Sequence, residues 1–328
     1  MSLLIQGLAS AATRISALGP SFGVVQQIRT KVRYYLPYPT EVKRVRKQGY
    51  RVKIQTVNGR RELMQRILDR KKKMLSPNTK IYLILSGKGG VGKSTIASQI
   101  AVSLVNSGKK VGLLDVDICG PSLARMFSVE NGEVIQTENG WQPVKVRPDK
   151  ELYLMSMAFL IGNRNSAVIW RGPKKHSMIR QFVTDVNWGQ LDYLIIDTPP
   201  GTSDEHISLV ECLKEHKAPE GAILVTTPQI VACNDVRREI TFCHKASLNI
   251  VGIIENMSGY MCPHCSECTN IFSSGGGQAL ANMANIKFLG SIPIETKLCH
   301  GADVGKSFIE NFSESRVAKT FDTIVKEL

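Results

Sequence analysis

No cysteine precedes Cys119, and between Met1 and Lys80 there are only three acidic residues (Glu41, Glu62, Asp69) against 18 Lys and Arg. The rest of the chain carries 24 basic and 25 acidic residues, so almost all of the formal +14 sits in the first quarter. A basic, cysteine-free arm joined to a near-neutral body implies two separate tasks, with a polyanion as the arm's expected partner. Eight cysteines in 328 residues are too few for a disulfide scaffold. No apolar run approaches the ~20 residues needed to span a bilayer, which argues against a membrane partner.

What is present reads as an α/β protein. From Lys80 onward, short apolar runs alternate with helical stretches: residues 81–85 (IYLIL), 111–115 (VGLLD), 193–197 (YLIID), 222–227 (AILVTT) and 250–255 (IVGIIE). Uniformly apolar strands separated by helices predict a doubly wound, mainly parallel sheet covered on both faces. Between Gly132 and Leu160 the pattern loosens around Glu138-Asn139-Gly140, which predicts a hairpin excursion. Val317, Phe321, Ile324, Val325 and Leu328 recur at helical spacing and predict a closing helix packed on the sheet. The expected domains are residues 1–30 as a transit segment, 31–75 as a basic arm and 76–328 as the globular body.

The run Gly87-Lys88-Gly89-Gly90-Val91-Gly92-Lys93-Ser94-Thr95 follows a strand and opens a helix, the context a phosphate loop requires. Glycines let backbone N–H groups turn inward around a phosphate, and the helix adds its positive end. Lys93 is expected on the outer phosphates of ATP and Ser94 on magnesium. Asp197, ending a strand before Thr198-Pro199-Pro200-Gly201, fits the acid that holds magnesium through its water shell. Asp115 and Asp117 end another strand, and one of them is expected to position the attacking water. His206 is expected in the first turns of a helix led by Ser203, Asp204 and Glu205, without a catalytic role.

Three of the eight cysteines are gathered at Cys262, Cys265 and Cys268. Cys262-Pro263-His264-Cys265 puts two thiolates two residues apart, able to face one metal. One chain offers few ligands for a closed site, whereas two copies of Cys262 and Cys265 on a twofold axis supply the four thiolates a [4Fe-4S] cluster takes. The alternative is a mononuclear zinc site completed by His264 and Cys268. Cys119, Cys212, Cys233, Cys243 and Cys299 are scattered and read as inert thiols.

With these residues in view, a resemblance becomes specific. Lys88, a second lysine in the phosphate loop, is similar to the signature of the deviant-Walker (SIMIBI, Mrp/MinD-like) ATPases. The stretches SGKGGVGKST, LLDVDICGPS, WRGPKK, DTPPGTSDEH, TTPQ, ENMSGYMCPHCSECTNIFSSGGG and FLGSIPI resemble the nucleotide-binding protein 2 type of cytosolic iron-sulfur cluster assembly factor, over residues 74–328. The resemblance implies slow ATP hydrolysis, with Lys88 crossing a dimer interface to the partner's nucleotide, Asp117 in the switch I position and Asn256 near the adenine. It implies a [4Fe-4S] cluster held between subunits by the CPxC pair and passed to cytosolic and nuclear apoproteins. Lacking cysteines before Cys119, the chain resembles the short member of the family, which implies a homodimer or a heterotetramer with the longer paralogous ATPase. The expected location is the cytoplasm.

Residues 35–75 form a basic strip with Tyr50 and the turn Asn58-Gly59, suited to a phosphate backbone and to ribosomal RNA. The strip resembles ribosomal large-subunit protein thirty-four. The first thirty residues lack acids, are rich in Ser and Ala, carry Arg14 and Arg29, and resemble a mitochondrial transit segment. These features support an alternative expectation, a mitochondrial iron-sulfur scaffold for respiratory complex assembly. A further expectation is that residues 1 to about 73 belong to a mitochondrial ribosomal protein joined to the ATPase near Met74.

Overall fold

In the computed structural model the chain divides into two units, Met1–Leu68 and Asp69–Leu328. The described residues are 75–117, 120–137, 140–160, 172–262 and 268–328. The transit, arm and ribosomal-protein expectations therefore lie outside them, as do Cys119, Glu138, Asn139, His264 and Cys265.

Seven strands form the parallel body of one twisted sheet: β1 (Lys80–Leu85), β2 (Val111–Asp115), β6 (Leu152–Ser156), β7 (Tyr193–Asp197), β8 (Gly221–Thr226), β9 (Ile250–Met261) and β11 (Phe288–Ile294). Their spatial order is β11-β9-β8-β1-β7-β2-β6. Two short antiparallel strands, β5 (Val144–Lys145) beside β6 and β10 (Cys268–Thr269) beside β9, complete the sheet. A separate ribbon pairs β3 (Ile135–Thr137) with β4 (Gly140–Gln142), where the hairpin is expected. The excursion is shorter than expected, because β6 falls within the same stretch and returns to the main sheet.

Period-two alternation along buried strands fills both faces. From β1, Tyr82 and Ile84 enter one core, where they join Ile100 and Leu104 of α1 (Lys93–Asn106). Ile81, Leu83 and Leu85 point to the opposite core, shared with α3 (Gly172–Thr184), α4 (Asp204–His216), α5 (Ile230–Lys245) and α6 (Gly276–Ala284). The short helix α2 (Leu123–Met126) follows β2, while α7 (Thr296–Val304), α8 (Phe308–Asn311) and α9 (Arg316–Lys326) end the chain. The expected closing helix is α9, with Val317, Phe321 and Ile324 buried in the first core. Lys80 Nζ and the Tyr82 hydroxyl both donate to the Leu328 carbonyl, at 2.7 and 2.8 Å, tying the last residue to β1.

This wiring gathers the carboxyl ends of β1, β2, β7, β8 and β9 on one edge, where ligands of open α/β sheets collect. Asp115 and Asp197 are direct register partners there, and Ile84 pairs with Asp197 from the other side.

Candidate functional site

A cleft of about 200 Å³ opens at this edge, lined by the whole run from Lys88 to Thr95 together with Ser86, Asp117 and Pro200. The loop can close because Gly90 and Gly92 take left-handed backbone angles, φ +78° and +81°. Gly87 is demanded by proximity: a Cβ there would lie 2.5 Å from the Asp235 carbonyl carbon on α5. Lys88 is exposed at the rim of the cleft.

Lys93, first residue of α1, is buried with its Nζ 2.5 Å from Asp197 Oδ1. Burial pushes Asp197 up from the usual carboxylate range, and the Lys93 ammonium and the Ser94 hydroxyl oppose that rise. Asp197 Oδ2 is buried without a partner among the described residues. An orphaned carboxylate oxygen beside a serine hydroxyl suits a hard cation that takes oxygen ligands, so the donor set fits magnesium.

The two acids ending β2 and its extension separate by burial. Asp115 is fully buried; burial, and then the neighbouring Asp197 charge, push it up to about 8. Its Oδ1 accepts the Asp117 N–H at 3.1 Å and its Oδ2 accepts the Ser156 hydroxyl at 3.0 Å. Asp117 is half-buried and lines the cleft, with its Oδ1 accepting from the Gly120 N–H at 3.1 Å. Asp117 therefore faces the cleft, and Asp115 braces it from behind. Asn256 lies under the loop, where its Nδ2 donates to the Val91 carbonyl at 2.8 Å.

His206 occupies the first turn of α4, where its Nδ1 accepts the Ser203 N–H at 3.2 Å. Burial pushes its pKa down to about 4, so the ring is neutral near pH 7. Two contributors carry no motif signal: Asp235 behind Gly87, and Ser156 behind Asp115. Only the partners brought by the fold reveal them.

Cys262 is half-buried and follows directly on β9. Cys268 opens β10 and pairs with Met261, so residues 262–267 form the connection between the two strands. Cys265 and His264 fall in the part of that connection outside the described residues. Cys233 and Cys243 are buried, and burial pushes the Cys243 thiol up to about 12. Among the described residues, no group of three or more His, Cys, Asp or Glu stands together as a ready metal site, and no helix is long and apolar enough to cross a membrane.

A glycine-rich loop between a parallel strand and a helix, two strand-end acids and a second loop lysine define a P-loop NTPase of the deviant-Walker kind, an ATPase. Residues 78–328 match the family described as the NUBPL iron-transfer P-loop NTPases of the ParA group, and the chain belongs to that family. It is 57% identical over 248 residues to the Cytosolic Fe-S cluster assembly factor NUBP2 of Gallus gallus, covering 76% of this chain and 91% of that protein. To the Nematostella vectensis NUBP2 homolog it is 58% identical over 248 residues, covering 76% and 92%. A solved nucleotide-binding protein from Archaeoglobus fulgidus in complex with ADP is 36% identical, with a TM-score of 0.62, covering 74% of this chain and 91% of that one.

Proposed function

We propose that this chain is an ATP-dependent scaffold on which a [4Fe-4S] cluster is assembled at a subunit interface and from which it passes to cytosolic and nuclear apoproteins. The cluster is cargo. The observation that carries the reading is the placement of Cys262 just past the end of β9, six residues beyond Asn256, whose side chain touches the phosphate loop. The names of the relatives, cytosolic Fe-S cluster assembly factors, support both the task and a cytoplasmic location.

In this reading Gly87, Gly89, Gly90, Val91, Gly92 and Thr95 wrap the phosphates with backbone N–H groups. Lys93 leaves Asp197 for the outer phosphates, and Lys88 reaches the nucleotide of the adjoining subunit. Ser94 and Asp197 hold magnesium, which neutralises charge on the phosphates. Asp117 orients the attacking water. Asn256, with Nδ2 committed to Val91, keeps its carbonyl oxygen for the adenine amino group. Hydrolysis changes the fit of the subunits rather than doing chemistry on the cluster.

Two thiolates from each subunit, Cys262 and Cys265, complete the cluster site in a homodimer or in a heterotetramer with the longer paralogue. Residues 76–328 form the ATPase domain. Residues 1–30 and 31–75 form a leader and a basic arm, the latter with a charge suited to ribosomal RNA. Anaerobic reconstitution of the full chain with iron and sulfide tests the central claim. The wild type takes up a cluster and Cys265→Ser does not, while both bind ATP. Equal iron and sulfide in the two proteins would refute it.

A further inference from the structure

Strand β9 touches the phosphate loop in its middle and leads into Cys262 at its end. Asn256 is 7% exposed, and its Nδ2 donates to the Val91 carbonyl at 2.8 Å. That carbonyl belongs to the same trans peptide unit as the Gly92 N–H, so the two bonds point in opposite directions. Holding the carbonyl toward β9 therefore turns the Gly92 N–H away from it, on the part of the loop that lines the cleft.

The contact has no slack. A Cβ on Gly92 would lie 2.3 Å from Asn256 Nδ2, with Met257 Cε also within reach at 3.9 Å. Rotation of the Val91–Gly92 peptide therefore either breaks the Asn256 hydrogen bond or carries Asn256 with it.

Beyond Asn256 the strand bends. Met257 has φ +59° and Gly259 φ +92°. A methionine in the left-handed region is costly and persists where its surroundings over-determine it. The bend interrupts the pairing with β11: Ile292 faces Asn256 and Ile294 faces Tyr260, so four residues of β9 advance while β11 advances two. The start of the bend is clamped, because the buried Glu255 carboxylate accepts from the Ser258 hydroxyl and the Gly277 N–H, each at 2.6 Å. After the bend, Tyr260 and Met261 pair with Thr269 and Cys268, and Cys262 follows.

We propose that Asn256 is a positioning residue that orients the Gly92 N–H for phosphate and, through the strained bend at Met257, transmits occupancy of the loop to Cys262. The proposal rests on the scaffold reading above and names how that site is regulated. A phosphate that draws the Gly92 N–H inward rotates the peptide and shifts Asn256, and the bend delivers the shift to Cys262.

The test uses the cluster-free full chain, with iodoacetamide as the probe of Cys262 and mass spectrometry resolving alkylation of each cysteine. Saturating magnesium and ATP are expected to change the Cys262 alkylation rate in the wild type by about fivefold or more, the lower range of measured site-to-site coupling. Asn256→Ala should bring that ratio below about twofold once nucleotide is raised to saturate the variant, so that weaker binding is compensated and the ratio reads coupling. If Asn256→Ala does not fold, Met257→Gly decides, since glycine relieves the left-handed strain and slackens the bend while leaving the loop intact. Its ratio should collapse likewise. A wild-type ratio near one, or wild-type ratios retained in the folded variants, overturns the proposal. A chain that shows the coupling but takes up no cluster sinks the scaffold reading alone, whereas cluster uptake without any nucleotide effect at Cys262 sinks the coupling alone.

Discussion

Lys93 and Asp197 meet at the base of the phosphate cleft with 2.5 Å between Nζ and Oδ1, and both side chains are shut away from water. Asp115 stands beside Asp197 in the sheet register, so two carboxyls share one buried ammonium. Burial, and then the neighbouring Asp197 charge, push the Asp115 carboxyl up and favour a proton on it beside the Lys93–Asp197 pair. Lys93→Ala removes the cation and leaves Asp197 either charged and unpaired or protonated. Breaking a buried pair this way costs roughly 3–5 kcal/mol before protonation recovers part of it. Urea unfolding should show a lowered midpoint, and calorimetry should show no binding of ATP with magnesium. Pairing Lys93→Met with Asp197→Asn should restore stability without restoring nucleotide binding. A Lys93→Ala protein as stable as the wild type and unchanged in affinity would contradict this account.

Gly92 faces two separate prohibitions. Its φ of +81° disfavours any side chain, and its Cβ would land 2.3 Å from Asn256 Nδ2. Gly92→Ala must therefore shift the loop or the strand. A cost above about 1–2 kcal/mol is expected from the backbone angle alone. Nucleotide affinity should fall at least about tenfold, the equivalent of 1.4 kcal/mol. Fluorescent-nucleotide titration measures the affinity and thermal unfolding the stability. Unaltered values for both would show that the close packing against Asn256 is not a constraint.

Glu239 on α5 is buried, neither of its carboxylate oxygens has a partner among the described residues, and burial pushes its pKa up to about 7. The folded state therefore holds the proton more tightly than the unfolded chain does. Stability is unimpaired below the ordinary glutamate value and declines as pH rises from there through about 7. The loss on reaching pH 8 amounts to up to about 3 kcal/mol, since each pH unit between the unfolded and folded values is worth about 1.36 kcal/mol. Glu239→Gln should flatten that slope, leaving stability at pH 5 little changed and raising it at pH 8. Urea midpoints for both proteins across pH 5 to 8 provide the check. Parallel curves would mean that Glu239 stays solvated.

The parts of the molecule that are readable in sequence are those where local pattern and function coincide. The apolar runs at 111–115 and 193–197 match β2 and β7 residue for residue, because strands buried on both faces leave no room for polar interruption. Strand β6, LYLMS, is hidden inside turn-rich sequence because five residues carry little period, and its pairing with β2 is a long-range choice. The extension of β9 through Asn256 to Met261 is equally hidden, since Asn, Ser and Gly read as a turn. Asp115 and Asp117 look equivalent as strand-end acids. Burial against Ser156 and Asp197 takes Asp115 out of the cleft and leaves Asp117 facing it.

The sequence alone determined the α/β class, the phosphate loop and the Cys262-Cys265 pair, because each depends on residue types at short, fixed spacing. Tertiary structure alone decided that Asn256 lies beneath Val91, that Asp235 forces a glycine at 87, and that Lys93 waits on Asp197. Those contacts join residues 104 to 165 positions apart. Chain spacing carries no information at such separations, and only the order of strands in the sheet brings the partners within reach of one another.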